Sequence, residues 1–338
     1  MHIALHQSRH NAGYKDCGYM TKTNNQPRKI SVIIPMFNTG SLINKCLEEM
    51  LSQDYQGSFE VIVVDDGSTD DSLSRASAYE RNSRLRILHK PNGGPASARN
   101  FGLDNISADS DWVTFIDSDD YVEPDFLSTL ASMNADLRIA SPFPTYGEWR
   151  NARHSLRDIM EFKDLFNNRQ FCSYLKTGLL LPFWNKLFSL DIIRNNKLRV
   201  KEIRLLEDAD FVCRYLQHCR SVEWINHKIY NYIKRPGSET SRLEISMVRN
   251  YIKLHEHLLQ TFNPALSREI DEFVYPQYVG LIRKYIRRND YKIAKELLRE
   301  KLIKKAFASH KCGSISERIF KNLMTHGFVR TAKILYIR

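Results

Sequence analysis

The sequence lacks the features that mark several classes of protein. No apolar run approaches the roughly 20 residues of a membrane-spanning helix, and we find no internal repeat and no low-complexity tract. The six cysteines form no CxxC pair and have no metal-type spacing: Cys17, Cys46, Cys172, Cys213, Cys219 and Cys312. In a chain of 338 residues this pattern predicts reduced packing thiols of a cytoplasmic protein.

The first part of the chain also lacks the marks of a secretory signal. Residues 1–28 contain no apolar h-region and no small-residue cleavage site, and we expect a flexible polar leader there. The whole chain does not have the composition of a disordered protein, because 42% of its residues are hydrophobic and 26% are charged. A sizeable globular core is therefore expected.

Positive charge is concentrated at the C-terminal end. Residues 281–338 contain 16 Lys and Arg against 4 Asp and Glu, whereas the whole chain has a net charge of +11. Apolar and basic residues alternate at helical spacing in LIRKYIRRNDYKIAKELLREKLIKKAF. We predict that residues 281–338 contact an anionic membrane surface. The alternative is a helical bundle whose solvated face is basic.

Hydrophobic runs alternate with helical patterns in the first half of the chain. Strands are predicted at 30–37, 59–66, 85–89 and 111–117, and helices at 41–53, 70–80 and 94–106. Such strands, separated by helices of this length, are typical of an α/β fold with a parallel sheet covered on both faces. After an irregular stretch, helices are predicted at 241–262, 265–287, 291–306 and 315–336.

Polar clusters follow three of the predicted strands. Asp65 and Asp66 end the second strand, Asn92-Gly93-Gly94 follows the third, and Asp117–Asp120 ends the fourth. Ligands of parallel sheets bind outside the carboxyl ends of the strands. We therefore expect these clusters to meet at one edge of the sheet.

The stretch FIDSDD places three carboxylates within four positions. Because Mg²⁺ and Mn²⁺ prefer oxygen ligands, Asp117 and Asp119 predict a divalent metal site. A turn with helix-capping acids is the alternative, since Asp is common in turns.

The two earlier clusters suit a nucleotide. Asp65 or Asp66 can accept a hydrogen bond from a base or a ribose, whereas the alternative is turn chemistry and N-capping in this segment. Gly93 and Gly94 permit close backbone approach at a helix N-terminus, which favours anions. The alternative there is a packed loop with Arg99 as an ion-pair partner.

Three later segments contain residues that suit ligand binding or proton transfer. Glu207 and Asp208 begin a predicted helix, where the helix dipole favours acids in any case, so a role as proton acceptor requires a partner site. Trp184 suits stacking on a sugar or a place in the core. Arg235 and Ser238 flank a Pro-Gly turn that suits a phosphate or a solvated surface.

Seven segments, taken in order, resemble the family 2 glycosyltransferases. They are SVIIPMFN, EVIVVDDGSTDDS, NGGPASARNFGL, FIDSDDYVEPDFL, WNKLF, LEDADF and YNYIKRPGSET. The likeness spans residues 30–240 and is most specific in 30–128. It implies a GT-A-type, Rossmann-like, mostly parallel sheet flanked by helices, with a C-terminal helical extension.

The resemblance also implies a division of the chain. Residues 29–240 would form the GT-A domain, with 29–128 binding the nucleotide sugar and 129–240 binding the acceptor and supplying the base. A basic helical region, 241–338, would follow.

The resemblance assigns roles residue by residue. Asp66 would contact the nucleotide base, with Asp65 as the alternative, and Asp119 would be the direct metal ligand, assisted by Asp117. Asp208 would be the general base, beside Glu207. The nucleotide-sugar site would comprise Pro35, Asn38, Asp65, Asp66, Asn92, Gly93, Gly94, Arg99, Asp117, Ser118, Trp184, Arg235 and Ser238.

One departure from the family pattern concerns the base. The acidic pair follows Arg204-Leu205-Leu206 rather than a lead-in rich in Gly or Pro. Asp210 is therefore retained as the alternative to Asp208.

The implied reaction is an inverting, metal-dependent transfer of a hexosyl or N-acetylhexosaminyl group. A nucleotide-sugar donor of UDP type would react with a saccharide or lipid-linked acceptor in capsule or lipopolysaccharide synthesis. The cofactor would be Mn²⁺ or Mg²⁺. We expect a cytoplasmic protein that is peripheral at the inner face of the bacterial inner membrane.

Two rival functions use the same residues differently. A sugar nucleotidyltransferase would need a Gly-rich basic loop after the first strand, where this chain has Pro35-Met36-Phe37-Asn38. A non-catalytic polysaccharide- or nucleic-acid-binding protein would use the basic end, but the acidic clusters argue against nucleic acid near the sheet.

Overall fold

The computed structural model describes residues 29–141, 153–155, 180–203, 206–233, 245–261 and 264–336. The strands are β1 (Ile30–Met36), β2 (Phe59–Asp65), β3 (Leu85–His89), β4 (Trp112–Phe115), β5 (Tyr121–Val122), β6 (Leu137–Ala140), β7 (Arg153–Ser155), β8 (Lys186–Ser189), β9 (Val222–Ile225) and β10 (Tyr230–Asn231). The helices are α1 (Leu42–Leu51), α2 (Ser72–Ser77), α3 (Pro95–Asp104), α4 (Phe126–Ala131), α5 (Leu190–Asn195), α6 (Glu207–Leu216), α7 (Ile245–Thr261), α8 (Ser267–Arg287), α9 (Tyr291–Leu297), α10 (Lys301–Ser309), α11 (Ile315–Thr325) and α12 (Val329–Tyr336).

The main sheet is mixed but mostly parallel. Its eight strands have the order β3-β2-β1-β4-β8-β6-β9-β7. Four pairs of strands are parallel: β1 with β2, β1 with β4, β2 with β3, and β6 with β9. β8 runs antiparallel between β4 and β6. This strand lies in the WNKLF stretch, where the sequence pattern predicted no strand.

The hydrophobic strands are buried because helices cover them. All seven residues of β2 are buried, and α3 packs against β1 and β2. The close packing of α3 depends on Gly102. A Cβ at this position would lie 2.6 Å from Ile33 Cγ2, too close for any larger residue without a shift of the helix.

The strand order places a crevice beside the end of β1. From β1 the chain adds β2 and then β3 on one side, and it then crosses over to add β4 on the other side of β1. Ligands of such sheets bind at this switch point. Pro35 fits there for a structural reason. Ile33 O accepts a hydrogen bond from Ile116 N, so the backbone of Ile33 faces the β4 side. The backbone of Pro35, two residues further along β1, faces the β4 side as well. Because the pairing with β4 ends at Ile33, the missing N–H of Pro35 costs no ladder hydrogen bond.

The C-terminal helices pack onto the sheet region through one continuous hydrophobic cluster. This cluster contains Phe115 of β4 and Phe211 of α6 together with Tyr278 of α8. The division at residue 240 stays a prediction, although the hydrophobic core extends across it.

Two of the predicted C-terminal helices were wrong in extent. The stretch 291–306 forms α9 and α10, which are separated where Glu300 adopts an extended ψ of 132°. The stretch 315–336 forms α11 and α12. The chain turns between them at Gly327, whose φ of 75° is typical of a glycine that ends a helix.

Several apolar side chains of the basic C-terminal stretch are buried within the protein. Ile282 and Ile286 of α8 and Ile303 and Phe307 of α10 are at most 3% exposed. In the described parts of the chain, none of the helices combines the length and the hydrophobicity that crossing a bilayer would require.

Candidate active site

A cavity of about 990 Å³ lies at the carboxyl ends of β1, β2 and β4. Its volume is within the range of about 300–1,000 Å³ that is usual for small-molecule sites. Most of the predicted site residues line it: Pro35, Asn38, Asp66, Asn92, Gly94, Arg99, Asp117, Ser118, Asp119, Trp184, Glu207 and Asp208. Residues that are far apart in the sequence therefore surround one space.

The structure does not bring every predicted residue to the cavity wall, from which Asp65 and Gly93 are absent. Asp65 is fully buried, accepts a hydrogen bond from Ser68 N at 3.1 Å and contacts His89 Nδ1 at 2.6 Å. The geometry thus favours Asp66 over Asp65 for contact with a ligand. Arg235 and Ser238 lie outside the described residues.

Asp66 holds the turn that precedes α3. Its carboxylate accepts hydrogen bonds from Gly93 N at 3.0 Å, from Gly94 N at 2.7 Å and from Lys90 Nζ at 2.6 Å. Gly94 has a φ of 86°, which favours glycine. The amides that suggested a phosphate site at the start of α3 therefore bind a carboxylate of the protein itself. The sequence pattern did not reveal this role of Asp66.

Asn38 joins the loops that follow β1 and β2. Its φ of 50° is left-handed, a conformation that Asn tolerates better than most residues. The side-chain Oδ1 accepts a hydrogen bond from Thr69 N at 2.8 Å, and Ser68 Oγ accepts one from Asn38 N at 3.2 Å. These bonds fix the part of the cavity wall next to Pro35.

Arg99 of α3 links the two acidic segments of the cavity. Its buried guanidinium donates to Asp117 Oδ1 at 2.7 Å and to Glu207 Oε1 at 3.1 Å, and it lies 5.1 Å from the centre of the Phe183 ring. The ion-pair role that was the alternative for Arg99 is therefore present. This pairing positions the end of β4 against the start of α6.

The carboxylates after β4 fit a divalent cation. Asp117, Ser118 and Asp119 all line the cavity, and a carboxylate offers the hard oxygen ligands that Mg²⁺ and Mn²⁺ prefer. One oxygen of Asp117 is already bound to Arg99. That oxygen of Asp117 is therefore not available to a cation while its ion pair with Arg99 is formed.

Asp120, the third carboxylate of this cluster, has a different environment. It is 2% exposed and accepts hydrogen bonds from the Tyr230 hydroxyl at 2.8 Å and from Ile233 N at 2.7 Å. Burial raises the pKa of Asp120 to about 7, although these two hydrogen bonds act in the opposite direction. Through these hydrogen bonds Asp120 connects β10 and the segment after it to the loop that follows β4.

Glu207 and Asp208 face the cavity from the first turn of α6. Burial, and next the neighbouring Glu207 carboxylate, raise the pKa of Asp208 to about 7, while the Ala209 N–H and the Arg99 guanidinium lower it. Asp210, by contrast, lies outside the cavity wall and pairs with Lys201 at 3.1 Å and Arg214 at 2.7 Å. The geometry thus favours Asp208 over Asp210 as a proton acceptor.

Leu206 precedes this acidic pair in an unusual backbone conformation. Its φ is 92° and its ψ is 13°, in the left-handed region that costs an L-residue about 1–2 kcal/mol. Leu206 also lines the cavity. A glycine would fit this position without strain, which gives a physical reason for the Gly-containing lead-in that the family resemblance implied.

The backbone strain at Leu206 can be measured with two matched variants. We expect Leu206→Gly to unfold at a higher temperature than Leu206→Ala, because both remove the side chain but only glycine relieves the strain. In the middle of a helix or strand, by contrast, glycine lowers the stability of the fold by about 0.5–1 kcal/mol relative to alanine. The measurement is the unfolding temperature of both variants at equal protein concentration. A higher unfolding temperature for Leu206→Ala would show that the backbone at position 206 is not strained.

Sequence reasoning missed much of the remaining cavity wall. The missed residues are Met36, Phe37, Thr39, Pro95, Ala98, Pro182, Leu206, Tyr232, Tyr251, Gln277, Gly280, Leu281 and Lys284. Phe37 could have been suspected because it directly follows β1. The residues of α7 and α8 gave no such signal, since helical periodicity does not say where a helix packs.

Trp184 stacks on Tyr230 at 4.6 Å between ring centres and also lines the cavity.

Comparison with known proteins agrees with this geometry. Residues 31–194 match the family model described as Glycosyl transferase family 2. The chain contains a family 2 glycosyltransferase domain. The predicted assignment to glycosyltransferases is thereby confirmed at the level of the family.

Relatives of the family 2 domain are found in several bacteria. The uncharacterized glycosyltransferase YibD of Escherichia coli (strain K12) is 26% identical, over 92% of this chain and 91% of YibD. Glycosyltransferase GlyA of Streptococcus pneumoniae serotype 4 is 30% identical, over 62% of this chain but only 31% of GlyA. The match thus leaves most of the length of GlyA uncovered.

The family 2 domain and the helices after it share their fold with a solved structure. TarS residues 1–349 from S. aureus, in complex with UDP-GlcNAc, superimposes with a TM-score of 0.62 at 20% identity, and the match covers 91% of this chain and 92% of that one. This likeness confirms the predicted GT-A-type fold.

Proposed function

We propose that this chain transfers a sugar from a nucleotide diphospho-sugar to a hydroxyl group of a saccharide acceptor, with inversion at the anomeric carbon. One observation supports the proposal most strongly. Five carboxylates line the cavity, from Asp66, Asp117, Asp119, Glu207 and Asp208. Among the described residues, the cationic side chains of the lining are those of Arg99 and Lys284. So much negative charge around one space favours a site for a cation and its ligand.

Asp119, assisted by Asp117, would hold the divalent cation, Mn²⁺ or Mg²⁺. When bound, the cation offsets the negative charge that grows on the departing diphosphate. Arg99 keeps Asp117 in place through its 2.7 Å ion pair. Asp66 and Asn38 shape the part of the wall where we place the nucleotide base.

Asp208 would accept the proton of the acceptor hydroxyl. A pKa of about 7 suits this role, because a general base works best when its pKa lies near the operating pH. Once deprotonated, the acceptor oxygen forms its bond to the anomeric carbon while the bond from that carbon to the diphosphate oxygen breaks. A single displacement of this kind inverts the configuration of the sugar.

The raised pKa of Asp208 predicts the pH dependence of the reaction. Only the ionised carboxylate accepts a proton, so kcat/KM should rise with pH and level off above about pH 7. At pH 5, two units lower, we expect a loss of about a hundredfold. The measurement is kcat/KM between pH 5 and 9 with metal saturating. A rate that is constant from pH 5 to 8 would be inconsistent with Asp208 as the base.

For the donor we propose a UDP-sugar carrying a hexosyl or N-acetylhexosaminyl group. The support is that TarS, which has the same fold, is solved with UDP-GlcNAc. For the pathway we propose surface polysaccharide synthesis, of capsule or lipopolysaccharide, on a saccharide or lipid-linked acceptor.

We also propose a peripheral site of action at the inner face of the bacterial inner membrane. The basic region 281–338 supports this, together with exposed apolar side chains on its surface, Ile315 at 74% and Phe328 at 58%. Flotation with phosphatidylglycerol-containing vesicles tests the proposal by comparing wild type with Ile315→Ser/Phe328→Ser. Equal recovery with anionic and neutral vesicles would refute it.

The function itself is tested with a panel of nucleotide sugars. We expect Mn²⁺-dependent hydrolysis of at least one UDP-sugar, together with thermal stabilisation by UDP that requires the metal. If no nucleotide sugar is hydrolysed and no nucleotide diphosphate stabilises the protein, the proposed function is wrong.

A further inference from the structure

Three side chains of the types that bind transition metals lie together at the connection between α10 and α11. They are His310, Cys312 and Glu317, each partly buried, and one potential ligand atom from each lies within 4.8 Å of the other two. None of the three lines the cavity of the candidate active site. The spacing of the cysteines gave no sign of this cluster, because only one of its members is a cysteine.

The two outer members of the cluster are anchored to helices. His310 directly follows α10, and its carbonyl oxygen accepts a hydrogen bond from Lys321 Nζ of α11 at 2.7 Å. Glu317 lies in the first turn of α11, and its Oε2 accepts a hydrogen bond from Gly313 N at 2.8 Å. Cys312 lies in the short segment between the two helices. The backbone therefore holds the three side chains close together without the help of an ion.

The carboxylate and the imidazole of the cluster are in direct contact. Glu317 Oε1 lies 2.8 Å from His310 Nε2. The hydrogen bond from Gly313 N lowers the pKa of Glu317, so this side chain is a carboxylate at neutral pH. A carboxylate oxygen and an imidazole nitrogen are both common ligands of Zn²⁺.

Two buried polar atoms beside the cluster have no hydrogen-bond partner among the described residues. They are His310 Nδ1 and Tyr275 Oη, on two rings that stack with their centres 3.7 Å apart. Buried polar atoms in folded proteins almost always have a partner. A plain ion pair between Glu317 and His310 leaves both atoms unpaired, whereas a bound ion and the water it carries can supply partners.

The ligand types favour Zn²⁺ over Mg²⁺ and Mn²⁺. Thiolate and imidazole are typical ligands of zinc, whereas the harder ions prefer oxygen. A tetrahedral zinc site separates its ligand atoms by about 3.5 Å, so small side-chain rotations would bring the three ligand atoms to their places around the ion. The fourth position would then be left to water.

We infer that His310, Cys312 and Glu317 form a zinc site, with water as the fourth ligand, that connects the end of α10 to the first turn of α11. This site is separate from the Mn²⁺ or Mg²⁺ site proposed for the reaction. It stabilises the C-terminal helices because an ion that binds only the folded chain favours folding. The inference does not depend on the proposed function.

Co²⁺ is the probe for this site, because it occupies zinc sites and gives a near-ultraviolet charge-transfer band when a thiolate binds it. Metal-free, full-length protein with reduced thiols is titrated with Co²⁺. We expect the band to appear and to be abolished by added Zn²⁺. Cys312→Ser should lack the band. His310→Gln and Glu317→Gln should each lower the affinity for Co²⁺ by at least about tenfold, since even residues that only orient a metal ligand contribute that much.

Matched variants separate this site from other metal sites and from misfolding. His326→Gln removes an exposed histidine directly after α11, and Asp119→Asn removes the carboxylate proposed for the catalytic metal; both should keep the band. Saturating Zn²⁺ should raise the melting temperature of Asp119→Asn but not that of Cys312→Ser. Without metal, Cys312→Ser should melt as wild type does, because serine is similar in size and Cys312 is only partly buried.

A wild-type protein without the band, or a band that survives in Cys312→Ser, would overturn the inference. So would an unchanged affinity for Co²⁺ in either His310→Gln or Glu317→Gln, because fewer than three ligands would then suffice. None of these results bears on the proposed function, which is tested with nucleotide sugars and Mn²⁺.

Discussion

Replacing Asp208 by Asn is expected to lower kcat by about 10²–10⁴-fold, the usual contribution of a general base. Asn keeps the side-chain oxygen that accepts the 2.7 Å hydrogen bond from Ala209 N, so the start of α6 should not change. The amide cannot take a proton from the acceptor. UDP affinity in the presence of Mn²⁺ should remain that of wild type, since only the proton acceptor is lost. Steady-state kinetics and calorimetry measure the two effects.

The stability of the Asp208→Asn variant separates lost chemistry from misfolding. The pKa of Asp208 is raised in the folded protein, so the ionised carboxylate destabilises the fold as the pH rises above the pKa of the unfolded chain. Removing this charge should leave the melting temperature at pH 8 equal or higher. Asp210→Asn is the matched control: it breaks ion pairs with Lys201 and Arg214 and should lower stability while kcat changes little. Full activity in Asp208→Asn would show that another group is the base.

Replacing Asp119 by Asn should abolish metal-dependent binding of the nucleotide. We propose this carboxylate as the direct metal ligand, assisted by Asp117, one oxygen of which pairs with Arg99. Loss of a bound metal removes several kcal/mol of charge stabilisation, so we expect the rate of transfer to fall by at least about a hundredfold. Calorimetric titration of UDP with and without Mn²⁺ measures the binding, and the rate of donor hydrolysis measures the chemistry.

A carboxylate at the other end of β4 supplies the control for Asp119. Asp111 is exposed and directly precedes β4, so Asp111→Asn makes the same chemical change away from the cavity. It should leave UDP binding, its metal dependence and the rate unchanged. Equal dependence on Mn²⁺ in Asp119→Asn and wild type would mean that the metal is held elsewhere or is not used.

The first four strands could be predicted because burial leaves a direct trace in the sequence. β2 reads as a nearly continuous hydrophobic run since both of its faces are covered, and the polar residues that follow it mark the strand end. The meeting of Asp66 with Asp117 could be predicted for the same reason, because parallel strands present their carboxyl ends on one edge.

Other parts of the site left no comparable trace. Lys284 and Gly280 lie in a helix whose periodicity shows a buried face but not which element it faces. Asp120 resembles its neighbours in sequence, yet its burial against Tyr230 gives it a structural role. The left-handed conformation of Leu206 could not be predicted, because leucine is rarely found there.

We propose that carboxylates which follow β2 and β4, together with those of α6, enclose a divalent cation and the diphosphate of the donor. A crystal structure of the wild-type protein with UDP and Mn²⁺ would show whether they do. We expect Mn²⁺ bound to the Asp119 carboxylate and to a diphosphate oxygen, the uracil near Asp66, and Asp208 across the space left for the sugar. UDP bound outside this cavity, or bound within it with Asp119 and Asp117 turned away from the metal, would show that these carboxylates do not form the donor site.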